Sequence, residues 1–251
     1  MQLSNNQVLI TGGASGIGFA LAEAFLHAGS TVAICGRSPD HLRQAAAKLP
    51  GIFTHVCDIA SSDDRCRLRD WTLGELPGLN VLANNAGIQR DISFAKGVEE
   101  FSSGENEIRV NLEAPIILTG LMVPVLSRNL SPAILNVSSG LGFIPAARMP
   151  VYSASKAGMH AFSMTLRLQL AKEGIKVFEI VPPAVDTNLN PAGRAGRGNF
   201  KPDLSPKVFV AAVMQALERD IPEIGFGMTA GLLQASRAEL DKRFVEMNSR
   251  L

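Results

Sequence analysis

Residues Gln7–Gly29 read QVLITGGASGIGFALAEAFLHAG, and this stretch decides the fold class. The apolar run Gln7–Thr11 predicts a short buried strand, and the segment after Gly18 has the periodicity of a helix that ends at Gly29. The loop between them is rich in glycine, which permits a tight turn and a close approach of the backbone to a phosphate. The first turn of the helix then offers free N–H groups. Strand, glycine loop and helix in this order predict a nucleotide-binding site, with a purely structural turn as the alternative.

The next predicted strand, Thr31–Cys35, completes a βαβ unit and is followed by Gly36 and Arg37. A site that selects NAD places a carboxylate at the end of this strand to bind the ribose 2′-hydroxyl. Because no carboxylate stands there, the Arg37 guanidinium is available to pair with a 2′-phosphate. The sequence therefore favours NADP(H), while NAD(H) stays possible. The alternative for Arg37 is an exposed charge beside a helix.

The rest of the chain continues to alternate strands and helices. Further strands are predicted at Ile52–Cys57, Leu79–Ala83, Pro132–Ser139, Ile175–Val181 and Glu223–Phe226. Further helices are predicted at Pro39–Leu49, Asp63–Leu76, Glu105–Ser127, Tyr152–Lys172, Ser205–Arg219 and Thr229–Asn248, and residues 88–104 are predicted to be irregular. The pattern predicts one α/β domain over residues 1–251. Its fold is a doubly wound Rossmann fold, with a parallel sheet of about seven strands and helices on both faces.

Polar residues follow several predicted strands, at the edge of the sheet where ligands of open α/β folds bind. Asp58 follows the third strand and is either an acceptor for an adenine amino group or a turn residue. The loop Asn84–Gly87 follows the fourth strand, and Ser139 ends the fifth. Residues 188–204 follow the sixth strand, are rich in Gly, Pro, Asn and Arg, and are a candidate flexible substrate lid.

Tyr152 and Lys156 form a pair with acid–base chemistry. Tyr152 is the only tyrosine in the chain, and Lys156 follows four residues later, about one helical turn along the same face. A phenol titrates near 10 in water, and a neighbouring ammonium lowers its pKa. Such a tyrosine exchanges a proton with an alcohol or carbonyl oxygen. The alternative is a surface pair on an amphipathic helix.

Asn111 lies just upstream of Pro115 in a predicted helix. A proline inside a helix removes a hydrogen bond and bends the chain. Asn111 could therefore bind a freed carbonyl or an ordered water. The alternative, a satisfied amide of the core, is favoured when Asn111 is considered alone.

Composition and charge exclude several classes of protein. The net charge of +1 provides no electrostatic footprint for nucleic acid or an anionic membrane. Cys35, Cys57 and Cys66 match no metal-site spacing and no disulfide framework, which is typical of a reducing compartment. The N-terminus has no signal-peptide pattern, and no apolar run is expected to reach the roughly 18 residues of a membrane span. We expect a soluble cytoplasmic protein that binds no metal, nucleic acid or membrane.

These motifs together resemble those of the short-chain dehydrogenase/reductase family, over essentially the whole chain. Thr11–Gly18 resembles its TGxxxGxG cofactor motif, and Asn84–Gly87 resembles its NNAG motif. Four residues match its catalytic tetrad in order and spacing: Asn111, Ser139, Tyr152 and Lys156. In the last quarter, VPPAVDTNL and PEIGFGM resemble the branch of DltE-like oxidoreductases.

The resemblance implies a set of residues that bind the cofactor. They are Gly12, Ser15, Gly16, Ile17, Gly18, Arg37, Asp58, Ile59, Asn85, Ala86, Gly87, Tyr152, Lys156, Pro182, Val185 and Thr187. The chain departs from the family in two places. Pro183 replaces the usual glycine after the sixth strand, which stiffens the backbone from which Val185 is implied to contact the carboxamide. Ser15 stands where many NADP-preferring members have a second basic residue, so the preference for NADP rests on Arg37 alone.

The resemblance also implies a reaction, namely reversible hydride transfer between the nicotinamide of NADP(H) and a carbonyl or alcohol substrate. Tyr152 is implied to act as general acid or base, with Lys156 lowering its pKa and holding the nicotinamide ribose. Ser139 is implied to orient the substrate oxygen, and Asn111 to anchor a water that relays protons. Two alternatives remain: a non-catalytic nucleotide-binding regulatory or scaffold protein of the same fold, and NADP-dependent epimerisation or dehydration.

The implied substrate contacts are Ser139, Leu141, Phe143, Tyr152 and Leu189, with Ile88, Ile144, Val185 and Phe200 in the same pocket. An apolar pocket suits an uncharged or weakly polar carbonyl compound. Recognition of an acid through Arg148, Arg194 or Arg197 is the alternative. Family members commonly pair through the helices that carry Asn111 and Tyr152, so a homodimer or homotetramer is expected.

Overall fold

The computed structural model describes residues 1–191, 193 and 202–249, which contain a seven-stranded sheet in the order β3-β2-β1-β4-β5-β6-β7. Neighbouring strands in this order pair in parallel. This topology confirms the predicted doubly wound fold, because the order runs outward from β1 in both directions. The strands are β1 Gln7–Thr11, β2 Thr31–Gly36, β3 Phe53–Val56, β4 Val81–Asn84, β5 Ala133–Val137, β6 Lys176–Val181 and β7 Glu223–Gly225.

Helices cover both faces of the sheet. They are α1 Gly16–His27, α2 Pro39–Lys48, α3 Ser62–Glu75, α4 Val98–Ser102, α5 Ala114–Leu126, α6 Pro150–Leu170, α7 Pro206–Glu218, α8 Met228–Leu232 and α9 Arg237–Asn248. Val8 and Ile10 of β1 join one apolar cluster, with residues of α1, α2 and α7. Leu9, which points to the opposite face, joins a second cluster with residues of α3, α5 and α6. The two clusters form the core on either side of the sheet.

The C-terminal region differs from the predicted single helix at Thr229–Asn248. It forms two helices, α8 and α9, and the Ser236 side chain caps the second by accepting from the Glu239 N–H. Glu239 completes a capping box at the Ser236 backbone. A helix start signal of this kind begins a new helix and so separates it from the helix before it. Residues 88–104 also contain more structure than predicted, a 3₁₀ turn at Phe94–Lys96 and the short helix α4.

One stretch, Arg109–Leu126, is long and apolar enough to span a membrane by length and composition, with a mean hydropathy of 1.4 over 18 residues. The sequence prediction that no run reaches this length was therefore wrong. A buried core helix passes the same test. Here Leu118, Met122 and Leu126 are fully buried in the second cluster, against the sheet.

Candidate active site

The carboxyl edge of the sheet opens into a cleft with a volume of about 1070 Å³. Its walls come from the loops that follow β1 to β6, as expected for a doubly wound sheet. The predicted catalytic, cofactor and substrate residues line this cleft, apart from Gly18, Asn111 and Phe143. Of the predicted substrate lid, residues 192 and 194–201 lie outside the described part, and with them Arg194, Arg197 and Phe200.

The glycine loop has no room for side chains. Gly12 has a φ of +63°, and a Cβ placed on it would lie 2.8 Å from the Ala86 Cα atom. A Cβ on Gly18 would lie 2.3 Å from the Gly12 carbonyl oxygen. Ser15, at the N-cap of α1, makes no capping hydrogen bond with its side chain. The glycine loop is thus closely surrounded by backbone atoms, and the first turn of α1 presents its N–H groups to the cleft. This arrangement fits a pyrophosphate.

A polar clamp joins the glycine loop to the loop after β4. The Thr11 hydroxyl accepts hydrogen bonds from the Asn85 and Ala86 N–H groups, both at 3.0 Å. The Asn85 side-chain amide donates back to the Thr11 carbonyl at 2.9 Å and to the Gly12 carbonyl at 3.1 Å. The Asn85 side chain therefore fixes the shape of the glycine loop. This role explains the second asparagine of the NNAG motif.

At the end of the cleft beside β2, Arg37 forms an ion pair with Glu105. Both side chains are about half exposed, at 52% and 50%. His41 and Lys48 of α2 line the same end, and the sequence interpretation missed them because they lie beyond the motif. The positive charge at this end therefore does not rest on Arg37 alone, and Arg37 already has an anionic partner.

Asp58 lines the cleft and acts as a turn residue. Its Oδ1 accepts from the Ala60 N–H at 3.0 Å, and its own N–H donates to Asp64 Oδ2 at 2.8 Å. Of the two interpretations of Asp58, the structure supports the turn directly.

Tyr152 and Lys156 project from the first turns of α6 into the cleft, and each is only 4% exposed. Burial raises the pKa of Tyr152 to about 12, against a hydrogen bond with Ser139 that lowers it. Burial also lowers the pKa of Lys156 to about 8, against the charge of Glu179, which raises it. The predicted lowering of the Tyr152 pKa by Lys156 is thus not seen in this structure, because the cost of burying a charge is the larger effect for both groups.

Asn111 lies in a π-helical turn, Arg109–Glu113, directly before α5. Pro115 has no N–H to give the Asn111 carbonyl, which favours such an irregular turn. The side chain contacts neither a freed carbonyl of its own helix nor, in the described contacts, Lys156. Asn111 Oδ1 accepts from the Ile88 N–H at 2.9 Å, and its amide donates to the Ile88 carbonyl at 2.8 Å and to Ser155 Oγ at 3.1 Å. The structure thus shows the alternative, a satisfied buried amide, which joins the loop after β4 to α6. The binding of a water by Asn111 stays a prediction.

Gly87 separates Asn111 from Lys156. A Cβ on Gly87 would lie 3.3 Å from Asn111 Oδ1 and 3.7 Å from Lys156 Nζ. Two tetrad members therefore face one small space that the glycine leaves open.

The opposite end of the cleft is apolar. Ser139, whose Oγ accepts from the Leu141 N–H at 3.1 Å, stands beside it. Phe143 does not line the cleft as predicted, because its ring packs on His160 with 4.4 Å between ring centroids. The residues that line this end are Ile88, Leu141, Ile144, Met149, Val185, Leu189, Met228, Leu232 and Met247. The last three come from the region of α8 and α9, and no local motif in the sequence indicates them.

Three polar residues near the tetrad were also missed, namely the buried Glu107 and Glu179 and the partly exposed His160. Glu107 is 1% exposed, its Oε1 accepts from the Arg90 N–H at 2.9 Å, and its Oε2 has no partner among the described residues. Burial raises the pKa of Glu107 to about 7. The only local signal was its place one helical turn before Asn111.

The chain is similar to known proteins over most of its length. A family model described as short chain dehydrogenase matches residues 6–198. Over 249 residues, the chain is 44% identical to the uncharacterized oxidoreductase DltE of Bacillus subtilis (strain 168), and the match covers 99% of each protein.

Solved structures share the fold. A short-chain dehydrogenase from Burkholderia cenocepacia J2315 in complex with NADP has a TM-score of 0.81 and 26% identity, covering 98% of this chain and 99% of that one. A short-chain dehydrogenase/reductase from Burkholderia phymatum in complex with NAD has a TM-score of 0.80 and 90% coverage of both chains. At 19% identity, the second likeness supports the fold alone.

Proposed function

Because this chain belongs to the short-chain dehydrogenase/reductase family, we propose that it is an NADP(H)-dependent oxidoreductase that interconverts a carbonyl compound and an alcohol. One observation carries the proposal. Ser139, Tyr152 and Lys156 lie together on the wall of the cleft that the glycine loop opens. An acid–base group, a hydroxyl that orients substrate and a cation thus stand beside a place suited to a dinucleotide.

The cofactor would lie along the loops at the carboxyl edge of the sheet. The glycine loop and the first turn of α1 would hold the pyrophosphate, and Lys156 would hold the nicotinamide ribose. Val185 and Thr187, after β6, line the far part of the cleft. When bound, the cofactor supplies the hydride.

Tyr152 is placed to exchange a proton with the substrate. Since burial raises its pKa to about 12, the hydroxyl stays protonated at neutral pH and can donate its proton to a substrate oxygen during reduction. Its hydrogen bond with Ser139 brings the two hydroxyls to one point, where a substrate oxygen would accept from both. In oxidation the same phenolic oxygen would accept the proton.

The space beside Gly87 offers a path by which Tyr152 regains its proton. Asn111 Oδ1 and Lys156 Nζ both border this space. We assign Asn111 the role of anchoring a water there, with Lys156 as the next group of the relay. The hydrogen bonds of Asn111 to Ile88 fix the side chain so that its position does not depend on that water.

Preference for NADP(H) over NAD(H) is supported by the charge at the β2 end of the cleft. The cations Arg37 and Lys48 line it, and Gly36 stands where a carboxylate would repel a 2′-phosphate. The ion pair of Arg37 with Glu105 opposes this preference, because the phosphate would compete with Glu105 for the guanidinium. We propose that the phosphate, with its higher charge, prevails.

For the substrate, we propose an uncharged or weakly polar carbonyl compound. The apolar end of the cleft beside Ser139 is lined by aliphatic and Met side chains, which favour such a molecule.

We further propose that the chain works as one cytoplasmic domain that assembles into a homodimer or homotetramer. Cys35, Cys57 and Cys66 are free thiols, which suits a reducing compartment. On the outer faces of α5 and α6, Ile117, Met164 and Leu168 are 39%, 46% and 80% exposed, and such side chains favour a partner. Light scattering on the wild type and on Leu168→Glu tests the assembly, and a monomeric mass for the wild type would contradict it.

The experiment that tests the function follows the near-ultraviolet absorbance of NADPH, and separately of NADH, with a panel of aldehydes, ketones, diketones and quinones. We expect NADPH to be consumed with at least one of them, and Tyr152→Phe to consume it far more slowly. Faster consumption of NADH would overturn the cofactor preference. Binding of NADPH without turnover of any compound would favour the non-catalytic alternative.

A further inference from the structure

Glu179 is a fully buried carboxylate directly behind the tetrad. It lies on β6, is 0% exposed, and has both oxygens engaged. Oε1 accepts a short hydrogen bond from the Ser138 hydroxyl, and Oε2 lies 2.7 Å from His160 Nδ1. Burying a carboxylate is costly unless it is paired and hydrogen-bonded, and both oxygens of Glu179 have such partners.

The partners of Glu179 connect it to two members of the tetrad. Ser138 directly precedes Ser139 at the end of β5. His160 lies on α6 one turn after Lys156, on the same face of the helix. Lys156 itself donates to the Val137 carbonyl at 2.8 Å, which places its ammonium group beside the same strand. Glu179 therefore sits under the backbone that carries Ser139 and beside the helix that carries Lys156.

We propose that Glu179 is a positioning residue for the reaction, whose buried charge keeps Lys156 in its ammonium form, while Ser138 and His160 hold the carboxylate in place. The proposal rests on the proposed function, in which the Lys156 cation holds the nicotinamide ribose and takes part in the relay. Its physical basis is that burial alone drives a lysine toward the neutral amine, and a nearby anion opposes this.

The electrostatic environment agrees with this role. Burial lowers the pKa of Lys156 to about 8, and the charge of Glu179 is what raises it. The hydrogen bond that His160 donates to Glu179 raises the pKa of His160, and burial opposes it. The charge of Glu223 makes a smaller contribution that raises this pKa, and the charge of Arg167 makes one that lowers it. Glu223 and Arg167 form an ion pair with each other, at 3.1 Å, so their charges largely cancel. The charge of Glu107 raises the pKa of Tyr152.

His160 makes the effect depend on pH. When His160 is protonated, the His160–Glu179 pair is neutral and supports Lys156 weakly. As pH rises through the pKa of His160, which the hydrogen bond with Glu179 raises, the pair gains a net negative charge and supports the ammonium form of Lys156 more strongly.

Three variants separate the charge of this pair from its shape. Glu179→Gln removes the anion while keeping the size of the side chain. His160→Arg leaves Glu179 in place but neutralises it at every pH, and His160 is partly exposed, with 25% of its side chain accessible, so a larger group is tolerated. His160→Gln is the matched control, because its amide still donates to Glu179 and the anion persists.

The measurement is the pH profile of kcat and kcat/KM with NADPH and a carbonyl compound that the NADPH assay shows to be turned over. We expect the alkaline limb to move to lower pH in Glu179→Gln and in His160→Arg, and to stay near the wild-type position in His160→Gln. A merely structural role would lower Tm without moving this limb. The proposal is overturned if Glu179→Gln folds and its limb stays in place, or if His160→Gln moves the limb as far as His160→Arg.

A direct titration of Lys156 separates failure of this inference from failure of the proposed function. With lysine labelled by carbon-13 at the ε carbon, the resonance absent from Lys156→Met is that of Lys156. We expect its pKa to fall in Glu179→Gln and His160→Arg, whether or not any carbonyl compound is turned over. An unchanged Lys156 titration in both variants overturns the inference even if the enzyme is active. If Glu179→Gln does not fold, the pair of His160 variants decides the matter.

Discussion

Lys156 Nζ lies 5.8 Å from the centre of the Tyr152 ring and donates its hydrogen bond to the Val137 carbonyl. Both groups are buried, and burial shifts both pKa values toward the uncharged form, upward for Tyr152 and downward for Lys156. The protein alone therefore holds a protonated phenol beside an amine whose pKa is about 8. This state is suited to giving a proton, and it can be tested group by group.

Tyr152 can be titrated alone because it is the only tyrosine in the chain. We expect no tyrosinate absorbance below pH 10 in the folded protein, since burial raises the pKa to about 12. The urea-unfolded chain should titrate near 10, the ordinary value of a phenol. Tyr152→Phe provides the blank. An absorbance step well below pH 10 in the folded protein would show that Lys156 outweighs burial.

Turnover should fall by about 10²–10⁴-fold in Tyr152→Phe, the usual contribution of a general acid. NADPH binding, followed by fluorescence, should change far less, because the ring and its packing remain. A variant that retains wild-type turnover would remove Tyr152 from the mechanism.

Gly87→Ala should slow turnover while the protein still folds. The added methyl would stand 3.3 Å from Asn111 Oδ1 and 3.7 Å from Lys156 Nζ, in the space assigned to the relay, and displacements of about 1 Å near reacting groups cost about 100-fold. Gly74→Ala on α3 is the control, since nothing lies within 4 Å of its new methyl. Equal kcat values for the two variants would exclude a relay beside Gly87.

Arg37 and Glu105 should affect cofactor choice in opposite directions. Arg37→Gln should weaken NADPH binding about 10- to 100-fold and leave NADH binding nearly unchanged, because a charge-assisted hydrogen bond contributes about 1.5–3 kcal/mol. Glu105→Gln should strengthen NADPH binding by freeing the guanidinium. Titration calorimetry measures both affinities. Arg43→Gln, an exposed arginine paired with Asp40 on α2, is the control. A parallel loss of both cofactors in Arg37→Gln would mean that Arg37 supports the loop rather than a phosphate.

Glu107 should make folding stability fall as pH rises. Burial raises the pKa of this carboxyl from 4.5 to about 7, so between those values the folded state keeps a proton that the unfolded chain has lost. The folded state then binds more protons, and its stability decreases with pH through this window. The Tm of Glu107→Gln relative to wild type should therefore rise between pH 5 and pH 7. Glu113→Gln, at an exposed site on the same helical stretch, should show no such trend. Parallel Tm curves for Glu107→Gln and wild type would contradict the raised pKa.

Much of the fold of this protein could be predicted from local sequence patterns. The strand, glycine loop and helix at Gln7–Gly29 and the alternation that follows predicted the parallel sheet, because backbone geometry and hydrophobic periodicity act over a few residues. The spacing of Tyr152 and Lys156 placed both on one helix face for the same reason. The order of the motifs along the strands brought them to one edge of the sheet.

Tertiary structure alone decided which partners these residues have. Arg37 meets Glu105, Asn111 meets Ile88 and Ser155, and Glu179 meets His160, each across a gap in sequence that no periodicity spans. Packing also turned Phe143 away from the cleft and brought Met247 into it. The pKa values of Tyr152 and Lys156 depend on how much of the chain covers them, and burial is a property of the assembled fold. The sequence determined where the chemistry lies, and the packed structure determined the protonation state of the groups that carry it.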